Sequence, residues 1–380
     1  MPSKNIAFAG ASLCTLLIPI YLLRAVRDEM AVQTGTQSLG WLISFSFLAL
    51  ILLSLLFSIS GKTNRLIYRG FIASLCLLYP AMALIPAFPQ SSTAPILFVL
   101  IGSSNLLLVS QFWLGLKEFF TETTAKKAYP QIMLIGSFGV LGGPLIVTAM
   151  AGQTITLFLI VSSIFLALSA LFIANARVIT VPSLSRLPPQ QSPKKSRQWP
   201  MAGLILIYST LATVLYGEHI ATVEEFGLNQ TDRIQFFGRR DLWIGLITLI
   251  LQWLGQKVKS QENRWVGFRL MPVLTLAVLL LIGWQSSLET VLWSMVIFRS
   301  FNYAYARPAR ELYFINTQGR FNFKNFIDTV IYRAGDLLGI WLFQLLTGWQ
   351  FDYLQIACLL APLIAFWIIL NKRIVKTLNA

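Results

Sequence analysis

The chain has 380 residues, 56% of them hydrophobic and only 12% charged, yet Lys and Arg outnumber Asp and Glu 30 to 15. That charged share is about half of what a soluble domain carries. It excludes disorder, collagen and a solvated nucleic-acid-binding surface, so no nucleic-acid partner is expected. Cys14, Cys76 and Cys358 stand alone in apolar runs without metal or disulfide spacing.

A helix crossing the hydrocarbon core needs roughly 20 mostly apolar residues. In chain order the apolar runs predict twelve such spans, centred on Leu13, Phe47, Leu77, Leu107, Leu141, Ile164, Ile207, Ile247, Leu276, Val296, Leu337 and Leu363. None of these runs alternates as the strands of a membrane barrel would. The expected fold is therefore all-α: a polytopic membrane protein. The first span follows Lys4 as a signal peptide would, but no small-residue cleavage site comes after it, so it reads as uncleaved.

With the N-terminus inside, inside segments receive 23 of the Lys and Arg residues. Arg24, Arg27, Arg233, Arg239 and Arg240 fall outside, and Arg299 and Arg333 lie within spans. This asymmetry follows the positive-inside rule and predicts a plasma-membrane protein with both termini cytoplasmic.

The Pro-, Ser- and Lys-rich stretch 177–199 reads as a cytoplasmic linker. It separates an N-terminal six-helix half, 1–176, from a C-terminal half, 200–380. The halves echo each other weakly: Lys117-Glu118-Phe119-Phe120 against Arg310-Glu311-Leu312-Tyr313, each before a Gly-bearing span. Two such halves are the arrangement of major facilitator transporters. The loop from Gly61 to Arg69 matches that superfamily's cytoplasmic loop poorly and reads as an ordinary basic loop.

Ionisable groups within the membrane cost several kcal/mol unless they meet a cavity or a partner. Four clusters stand out. In the first, Arg24, Arg27 and Asp28 share a helix face by i, i+3, i+4 spacing; they either face the bundle axis or cap a hydrated helix end. In the second, Arg299 sits deep in the tenth span with Asn302 one turn on, either as an anion ligand or in a structural ion pair. In the third, Lys324 and Asp328 are i, i+4, as are Asp328 and Tyr332, and Arg333 and Asp336 are i, i+3. Arg333 either holds an anion, with Asp336 taking a proton, or pairs with Asp336 within the helix. In the fourth, Glu218 precedes the lone His219 at the end of the seventh span, where a hydrated helix end competes with a coupling role. Gly136, Gly139, Gly142 and Gly143 suit close helix packing better than a phosphate loop. Asn229-Gln-Thr231 is a glycosylation sequon by pattern alone.

The series YLLRAVRDEMAVQTG, SQFWLGLKEFF, IGSFGVLGGPL, ARPARELYF and KNFIDTVIYRAGD resembles the ATP/ADP translocase family, and more closely its bacterial major-facilitator relatives. The blocks keep the family's order from the first span to the eleventh. The resemblance implies a twelve-helix facilitator fold and an anionic substrate, nucleotides included. Arg27, just before Asp28, matches the family's substrate-binding basic position. After Arg333 the family carries Lys, and here Asp336 replaces it, which fits another anion or a proton symporter.

The expected function is a secondary transporter of a small anionic solute, working monomerically in the lipid bilayer, with no cofactor; the buried carboxylates serve either charge balance or proton coupling. Arg24, Arg27, Arg299, Asn302, Tyr332 and Arg333 are the substrate-binding candidates; Asp28, Glu218, Asp328 and Asp336 are the coupling candidates. A lipid or other amphiphile as cargo, a membrane enzyme, and a non-transporting sensor or chaperone are the rival readings. A single histidine and the absence of a soluble domain weigh against the last two.

Overall fold

The computed structural model describes residues 2–59, 64–84, 90–116, 120, 122–175, 199–257, 266–310 and 327–379. Residues 60–63 of the basic loop, the Lys117-Glu118-Phe119 echo, residues 177–198, Glu311 and Lys324 lie outside them, as does the side chain of Asp328.

Among the described residues the chain forms twelve α-helices. They are α1 (Pro2–Thr34), α2 (Leu39–Ile59), α3 (Asn64–Leu84), α4 (Gln90–Leu116), α5 (Glu122–Ala149) and α6 (Ile155–Asn175). Then come α7 (Trp199–Glu225), α8 (Gln230–Lys257), α9 (Val266–Trp284), α10 (Leu288–Phe301), α11 (Tyr332–Gly348) and α12 (Tyr353–Asn379). Every predicted span centre falls inside one of them, in order.

Seven of the described helices are long and apolar enough to cross a membrane by length and composition alone. The other five are shorter or charged: α8 holds Asp232, Arg233, Arg239, Arg240 and Asp241, and α11 holds Arg333 and Asp336. Large apolar side chains cover the outside, Leu77 at 75% exposure, Phe138 at 67% and Trp284 at 83%. Such a surface suits lipid and would aggregate in water. The fold is all-α and polytopic.

Helix starts are written locally. Asn229 Oδ1 accepts from the Asp232 amide at 2.9 Å, so the residue of the sequon caps α8. Asp352 and Gln355 form a reciprocal capping box on α12, at 2.7 and 3.0 Å. Two segments depart from α geometry into π turns, Asn302–Ala306 after α10 and Ile327–Ile331 before α11.

The chain divides into two compact units. The first comprises residues 1–34, 44–185 and 228–242; the second comprises 35–43, 186–227 and 243–380. In the first unit α1 is central, packed on α4, α5 and α6, with α3 against α4 and α6. In the second α7 is central, packed on α10, α11 and α12, with α9 against α10 and α12.

The same packing device appears in each unit. A Cβ on Gly139 of α5 would run into the Cys14 carbonyl of α1, and one on Gly143 would sit 2.7 Å from the Ile18 carbonyl. A Cβ on Gly335 of α11 would lie 2.8 Å from the Leu206 carbonyl, and one on Gly339 would strike the carbonyl of Thr210, both on α7. Backbone replaces side chain at these crossings, which is how membrane helices gain van der Waals contact without a hydrophobic driving force. Gly139→Ala is expected to cost about 1–3 kcal/mol and lower the melting temperature in detergent, because the clash is with backbone that cannot rotate away. An unchanged melting temperature would count against this packing role.

Candidate functional site

In the first unit, α1 and the N-terminal part of α8 bring seven charged side chains together. Asp28 is fully buried. Its Oδ1 accepts from Arg27 Nη2 at 2.6 Å and Nε at 3.1 Å, and its Oδ2 accepts from Arg240 Nη2 at 2.7 Å. Arg240, also fully buried, donates from Nε to Asp241 Oδ1 at 2.9 Å. Arg24 reaches the other oxygen of Asp241 at 3.4 Å. About two turns earlier in α8, Arg233 holds Glu29 bidentately at 2.6 and 2.8 Å.

The hydrated-helix-end reading of Arg24, Arg27 and Asp28 is thus corrected: Asp28 and Glu29 are wholly buried among arginines. The placement of Arg233, Arg239 and Arg240 in an outer loop is corrected too, since all three lie in α8. The reason is physical. Charged residues depress the local hydropathy of α8, but opposite charges on α1 let it stay helical and buried.

Beside the Arg233–Glu29 pair, the guanidinium groups of Arg24, Arg27 and Arg240 meet the carboxylates of Asp28 and Asp241. Arg240 is enclosed between Asp28 and Asp241, while the side chains of Arg24 and Arg27 keep 15% and 22% exposure. Arg27 also stands 5.6 Å from the Phe98 ring centroid. A guanidinium keeps its charge in such surroundings and binds carboxylate or phosphate through two parallel bonds.

In the second unit, Asp336 of α11 collects three donors. Arg333 Nη1 donates at 2.8 Å, and the α7 hydroxyls of Ser209 and Thr213 donate as well, Thr213 at 3.0 Å. The within-helix Arg333–Asp336 pair therefore exists, and Asp336 is also tied to the neighbouring helix. Arg333 remains 29% exposed. Beside it an aromatic group centres on Tyr208, stacked on Phe298 at 6.1 Å and 6.1 and 6.0 Å from Tyr332 and Trp367. Arg299 and Arg310 lie near the Tyr208 hydroxyl. Asn302, Arg307, Arg310, Tyr208 and Trp367 line a recess of about 330 Å³, counting space open to solvent. The two π turns begin at Asn302 and end beside Tyr332, and such turns recur where function widens a helix.

The predicted residues therefore fall into two groups, Arg24, Arg27 and Asp28 in one unit and Arg299, Asn302, Tyr332, Arg333 and Asp336 in the other. Glu218, read as the end of a hydrated helix, is instead fully buried. Sequence reasoning misses Arg240 and Asp241, although Arg240-Asp241 repeats the Arg27-Asp28 dipeptide beside an apolar run. It also misses Ser209, Thr213 and Tyr208, which carry no signal among apolar neighbours. Among the described residues no group of three or more His, Cys, Asp or Glu side chains is placed to hold a metal ion.

No protein-family model matches the chain, and no curated protein does. Solved structures do match over nearly the whole length. A POT family transporter in complex with 5-aminolevulinic acid aligns at 12% identity over 98% of this chain and 96% of its own, with a TM-score of 0.68. The human organic anion transporter MFSD10 (TETRAN) aligns at 15% identity over 97% and 99%, with a TM-score of 0.67. The nucleoside transporter NupG aligns at 11% identity over 98% and 99%, with a TM-score of 0.62. At these identities the likeness shows the fold, which is that of these transporters.

Proposed function

We propose that this chain is a secondary active transporter of a small anionic solute, a nucleotide or another phosphorylated or carboxylated metabolite. The observation that carries the reading is the pair of partly exposed guanidinium groups at Arg24 and Arg27, set beside buried Asp28, Arg240 and Asp241. Charge inside a membrane protein is costly, so cations kept partly open there suit an anionic ligand. Arg299 and Arg333, with Tyr332 and Asn302, supply a second basic group in the other unit. The solved structures support transport of a small solute in general, and one of them is named as an organic anion transporter. The resemblance to the ATP/ADP translocases makes nucleotides the first solutes to try.

The transporter works by alternating access, monomerically, in a plasma membrane with both termini cytoplasmic, an orientation that rests on the skewed Lys and Arg distribution. The coupling carboxylates are sought among Asp28, Glu218, Asp328 and Asp336, and the coupling ion is the proton. The test is uptake by purified protein in liposomes of labelled nucleotides, phosphate esters and carboxylates, with and without a pH gradient. Saturable uptake of at least one anion is expected. Uptake confined to neutral amphiphiles would replace the anion reading with the lipid-transport one.

A further inference from the structure

We infer that the coupling proton is carried by Glu218. The inference rests on the transport reading for what the proton does, and on geometry alone for where it sits. Glu218 lies on α7 one turn before Thr222, is fully buried, and neither carboxyl oxygen has a hydrogen-bond partner among the described residues. The Thr222 hydroxyl is committed elsewhere, donating to the Glu218 backbone carbonyl at 2.9 Å.

Of the other candidate acids, the two whose side chains are described are occupied. Asp28 is held by Arg27 and Arg240, and Asp336 by Arg333 and two hydroxyls.

Among the described residues no cation hydrogen-bonds to the Glu218 carboxyl. On α7 its neighbours are buried His219 and, beyond, Glu224 and Glu225. Glu224 accepts from the Thr36 amide at 2.8 Å, and Glu225 accepts from the Tyr353 hydroxyl of α12 at 3.0 Å. Tyr353 is within electrostatic reach of Glu218 and carries no positive charge. On α11, Phe343 packs against Gly217, while Arg333 and Asp336 stand lower, at the level of Ser209 and Thr213. Gln344 of α11 is taken by the carbonyls of Thr36 and Gln37. On α10, Glu289 sits in the first turn and Arg299 lies near Tyr208. On α9, Arg269 lies in the first turn.

An ionised carboxylate enclosed without a partner is prohibitively costly, so in this conformation Glu218 holds its proton. Release then requires a conformation that wets the carboxyl. Lowering the pH favours the conformation described here and raising it disfavours that conformation, which ties proton occupancy to alternating access.

The test has two arms. In the first, protein in liposomes is compared by infrared spectroscopy for the carbonyl stretch of a protonated acid. Glu218→Gln should lose a component that Asp336→Asn keeps. In the second, labelled ATP, ADP, glucose 6-phosphate and citrate are the probes. Glu218→Gln should keep solute exchange at near wild-type rates and lose about tenfold or more of the uptake driven by a pH gradient. Glu218→Asp, which can still carry a proton, should keep the gradient response and shows that the site tolerates substitution. An unchanged infrared spectrum or a normal gradient response in Glu218→Gln overturns the assignment, as does loss of the acid component in Asp336→Asn. Wild-type protein that takes up no probe while showing the Glu218 component overturns the anion reading and leaves the proton on Glu218.

Discussion

Arg240→Ala is expected to be the most damaging single substitution in the first unit. Arg240 is wholly buried and touches both Asp28 and Asp241. Removing it leaves two buried carboxylates with one guanidinium each, Arg27 beside Asp28 and Arg24 at 3.4 Å from Asp241. Breaking a buried pair from one side costs about 3–5 kcal/mol, because the surviving charge stays desolvated. The variant should melt well below wild type in detergent and reach the membrane in reduced amount. Asp28→Asn combined with Arg240→Gln removes one charge of each sign and should recover much of the loss. A single variant as stable as wild type, or a double variant no better than the single, would show that this pair does not hold α8 against α1.

Arg27→Ala is expected to have the largest effect on transport. It removes the guanidinium with the greatest exposure in that cluster. Losing a partly desolvated charge-assisted contact to an anion costs about 3 kcal/mol, roughly a hundredfold in uptake kcat/KM. Asp28 keeps its bond from Arg240 at 2.7 Å, so the variant should remain folded. Arg27→Lys should recover part of the activity, since charge returns without the planar fork. The measurement is initial-rate uptake of whichever anion the wild type accepts, alongside a melting curve. Activity in Arg27→Ala within a few-fold of wild type would remove the anion site from α1.

Much of this architecture is legible in the residues themselves. Every predicted span centre lies in a helix because membrane helices are specified by continuous apolarity, a signal that needs no partner. The shared face of Arg24, Arg27 and Asp28 follows from helical spacing alone. What the residue order hides is pairing. Arg240 and Asp241 look like loop charges, since the acids and bases that make them tolerable lie more than 200 positions away on α1. Ser209 and Thr213 are invisible for a different reason. Hydroxyls in apolar helices often bond back to their own preceding turn, as Thr210 does to Leu206 at 2.9 Å, and nothing in the residue type separates those from Ser209, which reaches Asp336. Glu218 misleads because nearness to a helix end in sequence says little about burial.

The widened turn at Asn302–Ala306 also bears on how such a chain can change length. A π turn is an α-helix carrying one residue too many, absorbed as a local bulge. Deleting a residue there would let the helix close into regular geometry with its two flanks still in phase, so Arg299 and Arg310 would keep their bearings. The same deletion inside α5 or α7 would swing every later side chain by about 100° and pull Gly139 or Gly217 away from its crossing. Indels in this molecule are thus survivable at two marked positions, both bordering its basic aromatic group, and ruinous along the glycine-lined helices.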